Sequence, residues 1–120
     1  MNNNHEPANC PQIIAKAADD KKAQDIIILD MRGLTLIADY FIICHGNSTT
    51  QTRAIADSVE EKMREQGMRV LRREGISEGN WILLDFGNYV VHVFTEEDRN
   101  FYGLERLWGD AKRIEFQTIV

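Results

Sequence analysis

The sequence predicts an α/β domain in which a mixed, five-stranded sheet is flanked by helices. The segment WILLDFGNYVVHVF, residues 81–94, predicts two antiparallel strands joined by a two-residue turn, Gly87-Asn88, because glycine readily adopts the positive φ that such turns require. The run DIIILD, residues 25–30, is apolar without alternation, which is typical of a strand buried on both faces. Segments with helical spacing of apolar residues separate these strands.

Taken in order, the remaining elements follow from periodicity and from stop signals. A second strand at residues 38–44 leads through a Gly46-Asn47-Ser48 turn into a helix, with Ser48 as a candidate N-cap and Gly67 as its end. With the next strand this helix forms a βαβ-like unit. Thr95 begins a capping-box pattern before the last helix. The other predicted elements are a helix at 11–22, a strand at 69–73, and a last helix whose apolar stripe is Phe101, Leu104, Leu107 and Trp108.

Length and composition indicate one domain. With 43% hydrophobic residues, a chain of 120 residues can bury a single core without disulfides or metals. We expect a disordered tail at residues 1–9, one domain at 10–111 and a C-terminal tail at 112–120, in which EFQTIV, residues 115–120, forms either a loose strand or ordered packing.

Charge and cysteine content bear on partners and compartment. The net charge of −5 argues against general binding to phosphate backbones and favours a basic protein partner, so no sequence-specific nucleic-acid binding is expected. No apolar run approaches the roughly 20 residues of a membrane helix, and the start lacks a signal-peptide pattern. The two cysteines are expected to be free thiols in a reducing cytoplasm.

A catalytic alternative has a limited basis. Cys44, His45, Asp85 and His92 are the types from which a nucleophile, a base and an orienting group are built, so a small cytoplasmic enzyme using Asp85 or Cys44 is the alternative hypothesis. Their places in apolar strands favour packed core roles instead. No spacing typical of a metal site occurs, and neither a metal nor a cofactor is expected.

Two further features suggest phosphate contacts. The Gly46-Asn47-Ser48 turn precedes a helix and could cradle a phosphate, but the following strand lacks the paired carboxylates of a phosphate-transfer site, which favours a simple capped turn. Arg69, Arg72 and Arg73 could touch RNA phosphates, although in an acidic chain a solvated edge is the simpler interpretation.

The hairpin carries more apolar area than one sheet face needs. We predict that Trp81, Leu83, Tyr89 and Val91 share one face and form an apolar patch, since Trp and Tyr dominate binding hot spots. Ordinary core packing is the alternative, and both interpretations remain open at this point.

Five blocks in order and spacing resemble the ribosomal silencing factor, or Iojap-like, family. They are ADYFIICHGNS, QTRAIADSVEEK, EG, WILLDFGNYVVHVF and EEDRNFYGLERLWGDA, and the match runs from about residue 13 to residue 111. The chain departs from the family at His45, where a small hydroxyl residue is more usual.

The resemblance implies a non-enzymatic domain with a nucleotidyltransferase-like fold that lacks the catalytic carboxylate pair. It implies docking on large-subunit ribosomal protein fourteen, which would block joining of the small subunit and lower translation when nutrients are short. A role in large-subunit biogenesis is also implied.

The resemblance also assigns roles to single residues of the hairpin. Trp81 matches the family's hairpin tryptophan and is the expected partner contact, and Leu83, Tyr89 and Val91 follow from the predicted facing. Asp85, Gly87 and His92 are expected to organise the hairpin. A homodimer through the same face is a further possibility.

Overall fold

The computed structural model describes residues 9–116 and forms one six-stranded sheet in the order β3-β4-β5-β2-β1-β6. The predicted disordered N-terminal tail and the end of the predicted C-terminal tail therefore lie largely outside the described residues. The elements are α1 (Cys10–Asp19), β1 (Gln24–Asp30), β2 (Tyr40–Gly46), α2 (Thr49–Glu65), β3 (Arg72–Glu74), β4 (Trp81–Asp85), β5 (Tyr89–Thr95), α3 (Glu96–Tyr102), α4 (Leu104–Leu107) and β6 (Lys112–Ile114).

The predicted mixed sheet is confirmed, with one more strand than expected. β2 and β5 run parallel at its centre, and the other pairs are antiparallel. The additional strand, β6, pairs with β1 through Lys112 to Ile114. The non-alternating apolar run of β1 predicts a central strand, but β1 is the fifth strand of six. β3 lies at the opposite edge, separated from β2 by β4 and β5, so the predicted βαβ unit does not join neighbouring strands.

One face of the sheet is covered by α1 and α2. Ile14 from α1 and Ile55, Val59 and Met63 from α2 are fully buried there against sheet residues such as Ile42. Their helical spacing places them on one side of each helix, which explains why both helices lie flat on the sheet. Ser48 caps α2 as predicted, since its side chain accepts a hydrogen bond from the Gln51 amide at 3.1 Å.

The other face is covered by the shorter α3 and α4. Thr95 caps α3 by accepting a hydrogen bond from the Asp98 amide, and Gly103, in the left-handed conformation at φ 58°, ends that helix. The predicted single last helix is therefore two helices. Its predicted stripe is also only half right, because Leu104 and Trp108 pack on the sheet while Phe101 and Leu107 are exposed.

The hairpin register corrects the predicted facing. Trp81 lies opposite Phe94, and Leu83 lies opposite His92, so these four side chains share the face of α3 and α4. A two-residue turn pairs odd-numbered residues of β4 with even-numbered residues of β5. The prediction that Tyr89 and Val91 face the same way as Trp81 and Leu83 is therefore wrong: both are buried on the face that α1 and α2 cover.

Candidate partner-binding surface

Trp81 is held in a fixed orientation at the start of β4. Its indole stacks obliquely on the Phe94 ring at 4.9 Å and on the Tyr102 ring at 4.7 Å between centroids. Its Nε1–H donates a hydrogen bond to Nδ1 of His92 at 3.1 Å. The side chain is only partly buried, so the indole is fixed by the protein while part of its surface faces solvent.

His92 is a neutral imidazole beneath Trp81. Because Nδ1 accepts the hydrogen bond from Trp81, the ring proton lies on Nε2, and that buried atom has no hydrogen-bond partner among residues 9–116. Burial lowers the pKa of His92 to about 4. The ring packs edge-on against Phe41 at 4.7 Å. The uncharged ring therefore supports Trp81 from below.

Asp85 and Gly87 shape the other end of the hairpin. The Gly87 amide donates a hydrogen bond to Oδ1 of Asp85 at 2.8 Å, and Gly87 has φ 95°. The carbonyl oxygen of Asp85 accepts a hydrogen bond from the Leu71 amide at 2.7 Å. The side chain and backbone of Asp85 thus connect the turn to the segment that precedes β3.

Exposed apolar side chains lie on α3 and α4, on the same side of the sheet as Trp81. Phe101 is 77% exposed, Leu107 is 73% exposed and Tyr102 is 50% exposed, while Leu83 is partly buried. We call Trp81, Leu83, Phe101, Tyr102 and Leu107 the docking surface. Exposed aromatic and aliphatic side chains on a rigid scaffold are typical of protein-binding sites.

A second exposed apolar segment lies in the loop between β1 and β2. Leu36 is fully exposed and Ile37 is 73% exposed. Met31 and Ala38, which flank the loop, are buried in the same cluster as Phe41 and Phe94. The loop is thus anchored to the core that supports the docking surface.

The residues of the catalytic alternative are not assembled into a site. Cys44 lies opposite Val93 on the face that α1 and α2 cover, and complete burial raises its pKa to about 12. His45 points to the other face, where Nη1 of Arg99 donates a hydrogen bond to its Nδ1 at 2.9 Å. Burial, and secondarily the charge of Arg99, lowers the pKa of His45. A buried, protonated thiol cannot act as a nucleophile beside this imidazole.

The Gly46-Asn47-Ser48 turn is bound by the chain itself. Oε1 of Gln51 accepts a hydrogen bond from the Asn47 amide at 2.6 Å, while its Nε2 donates to the carbonyl oxygens of Lys21 and Lys22. The Asn47 amide is therefore already used within the chain, which supports the capped turn. Within residues 9–116 no group of His, Cys, Asp and Glu has the geometry of a metal site.

Sequence reasoning missed two exposed residues of the docking surface and the exposed apolar loop between β1 and β2. It placed Phe101 and Leu107 in the core, although Gly103 between them is a signal for a helix end. It did not consider Leu36 and Ile37, which follow a predicted strand in a short apolar segment.

Within the described residues, no helix is long and apolar enough to cross a lipid bilayer.

The fold and this surface define a small α/β protein with an exposed, aromatic-rich face. Comparisons with known proteins identify its family. A family model, "Ribosomal silencing factor during starvation", matches residues 4–120, more than the predicted range of 13–111. Among curated relatives, ribosomal silencing factor RsfS of Bacillus subtilis is 52% identical over 83% of this chain and 85% of its own length. RsfS of Halalkalibacterium halodurans is 46% identical over 91% of this chain and 93% of its own length.

The similarity extends to a plant protein and to solved structures. Chloroplastic protein Iojap of Zea mays is 38% identical over 85% of this chain and 44% of its own length. A crystal structure of a Bacillus halodurans protein aligns with a TM-score of 0.80 and 41% identity, covering 91% of this chain and 99% of that one. A crystal structure of a protein from Chromobacterium violaceum aligns with a TM-score of 0.82 and 35% identity, covering 92% of this chain and 91% of that chain. The chain belongs to the ribosomal silencing factor family.

Proposed function

We propose that the chain binds the large ribosomal subunit through ribosomal protein fourteen and so prevents the small subunit from joining, which lowers translation when nutrients are limited. The observation that carries the proposal is the docking surface, in which fixed and exposed aromatic side chains lie on one face of the sheet. The family's name gives the process, ribosome silencing, and the surface gives a means of binding. The proposed compartment is the cytoplasm.

The chemistry of the docking surface suits a protein partner. Trp81 and Tyr102 are held by mutual ring contacts, so little side-chain entropy is lost when a partner covers them. The net charge of −5 favours approach to a basic ribosomal protein, an effect on the association rate that salt weakens. Silencing by this route needs occupancy of the joining surface and no chemical step.

The structure supports the following roles for hairpin residues. Trp81 and Leu83 contact the partner directly. Tyr89 and Val91, which the sequence also suggested as contacts, lie on the buried face and support the hairpin instead. Asp85, Gly87 and His92 hold the turn and the Trp81 ring in place.

The experiment mixes the purified chain with separated ribosomal subunits and measures co-sedimentation. The chain is expected to pellet with the large subunit and not with the small one. Trp81→Ala is expected to weaken binding by about 2 kcal/mol or more while its far-UV circular dichroism stays that of a folded protein. Equal affinity of Trp81→Ala and the unmodified chain for the large subunit would contradict the assignment of the surface.

A homodimer through the docking surface would compete with this binding, because both partners would need the same side chains. Sedimentation of the free chain at several concentrations distinguishes the two. A dimer that dissociates as the large subunit is added is compatible with silencing, whereas an undissociated dimer pelleting with the large subunit would exclude this surface as the ribosome contact.

A further inference from the structure

Along the β3 edge of the sheet lies a concentration of positive charge that the proposed protein contact does not use. Residues 64–73, REQGMRVLRR, contain four arginines and one glutamate, a local charge of +3 in a chain of net charge −5. The other 110 residues therefore carry −8. Such a local reversal of sign marks a surface for an anionic partner.

The four arginines line one exposed groove along the β3 edge of the sheet. Two adjoining depressions of about 220 and 410 Å³ share Glu60, Arg64 and Val70 as lining residues. Arg69 completes the first depression, and Arg72 and Arg73 complete the second. We call this the arginine groove. β3 is the terminal strand of the sheet, so no neighbouring strand covers it within the described residues.

Two of the four guanidinium groups lack an acidic partner. Arg72 lies 3.2 Å from a carboxylate oxygen of Glu74, and Arg73 lies 3.3 Å from Glu60. Arg64 and Arg69 are both exposed and form no ion pair or side-chain hydrogen bond within residues 9–116. Their donors are therefore available, and the planar guanidinium matches the oxygens of a phosphate in bidentate geometry.

The groove and the docking surface meet at the β3 edge: Arg64 lies in α2, which covers one face of the sheet, and the docking surface lies on the other face. β3 is hydrogen-bonded to β4, and Glu74 lies directly opposite Leu83 across that pair. Because β3 is the edge strand and neighbouring strands are about 4.8 Å apart, a large partner that extends around this edge can contact both surfaces. A ribosomal subunit presents protein and RNA side by side, and RNA is the component with a regular array of phosphates.

We propose that the arginine groove binds the sugar-phosphate backbone of ribosomal RNA while the docking surface binds protein. Arg64 and Arg69 make the principal phosphate contacts, without reading base sequence. This inference rests on the proposed function, because it requires the chain to be on the large subunit. The inference adds ribosomal RNA as a second partner of the chain on the large subunit.

The test compares the salt dependence of large-subunit binding for the unmodified chain and for the double variant Arg64→Gln, Arg69→Gln. Two lost phosphate contacts should reduce the slope of log K against log salt by about 1.8 and weaken binding about 30-fold at 0.15 M salt. The matched control is Lys21→Gln, Lys22→Gln, which removes the same charge from two exposed residues after α1 and should leave the slope unchanged. Arg64→Lys, Arg69→Lys should retain most of the slope.

A cross-linking readout distinguishes RNA from an acidic protein segment. Leu71 is 71% exposed in the groove, whereas Cys10 and Cys44 are fully buried, so a photoreactive group attached through Leu71→Cys is placed selectively. Cross-links to ribosomal RNA are expected. Cross-links to protein alone, or an unchanged salt slope in the glutamine variant that still binds, would overturn the inference while leaving the proposed function intact. Absence of any large-subunit binding by the unmodified chain would overturn both.

Discussion

Acidification should destabilise this protein through His92. Burial lowers its pKa from the usual 6.5 to about 4 in the folded state. Between these values the unfolded chain binds more protons than the folded one, so stability is complete above pH 6.5 and is lost as the pH falls towards 4. The full difference corresponds to about 3 kcal/mol, of which about 2 kcal/mol is lost by pH 5.

The assay is denaturant unfolding at pH 7.5 and pH 5.0, for the unmodified chain and for His92→Gln. The variant is expected to be less stable at pH 7.5 but to lose about 2 kcal/mol less on acidification. His45, whose pKa burial also lowers, adds a contribution of the same sign in both proteins and so cancels in the comparison. An equal loss in both proteins would refute the buried, neutral imidazole, and a titration of His92 by NMR with a midpoint near 6.5 would do so independently.

Two further predictions concern backbone packing and the exposed surface. Gly75→Ala would place a Cβ 1.9 Å from the Trp81 carbonyl oxygen, at a residue with φ 79°, so we expect at least about 2 kcal/mol of stability to be lost. Gly33→Ala, also at positive φ but with open space around it, should cost about 1 kcal/mol. Equal denaturation midpoints for the two variants would contradict this prediction. Leu107→Asp alters a side chain that is 73% exposed, so stability should change by less than about 0.5 kcal/mol while large-subunit affinity falls at least about tenfold. Thr50→Asp in α2, with the same charge change, should bind normally, and equal affinities of the two variants would remove Leu107 from the surface.

Much of the fold could be predicted because periodicity and turn chemistry are local. The Gly87-Asn88 turn, the Ser48 cap and the end of α2 near Gly67 depend on neighbouring residues alone, and the structure has all of them. Parallel pairing of β2 with β5 depends on contacts between distant segments, and sequence pattern does not specify it.

The missed strand, β6, illustrates a non-local effect. Lys112 and Arg113 are exposed, and the three-residue element has no alternation that would mark it as a strand. It is a strand because β1 offers an unpaired edge and the chain returns past Ala111, which is buried near Trp108. Edge pairing of this kind depends on the assembled sheet and is invisible to propensity.

In contrast to β6, the face on which each hairpin side chain lies could have been predicted from the sequence. Once Gly87 and Asn88 form the turn, Phe86 must pair with Tyr89, and Trp81 must then share a face with His92 and Phe94. The same parity buries Tyr89 and Val91. The exposure of Phe101 and Leu107 could not be obtained this way, since it depends on how two short helices settle on the sheet.

The most direct test of silencing is a light-scattering measurement of subunit joining. Large subunits are first saturated with the chain, as verified by co-sedimentation, and small subunits are then added. Joining is expected to fall in proportion to the fraction of large subunits occupied, and to recover when Leu107→Asp replaces the unmodified chain at the same concentration, because the variant occupies fewer large subunits. Normal joining by saturated large subunits would contradict steric silencing through the docking surface.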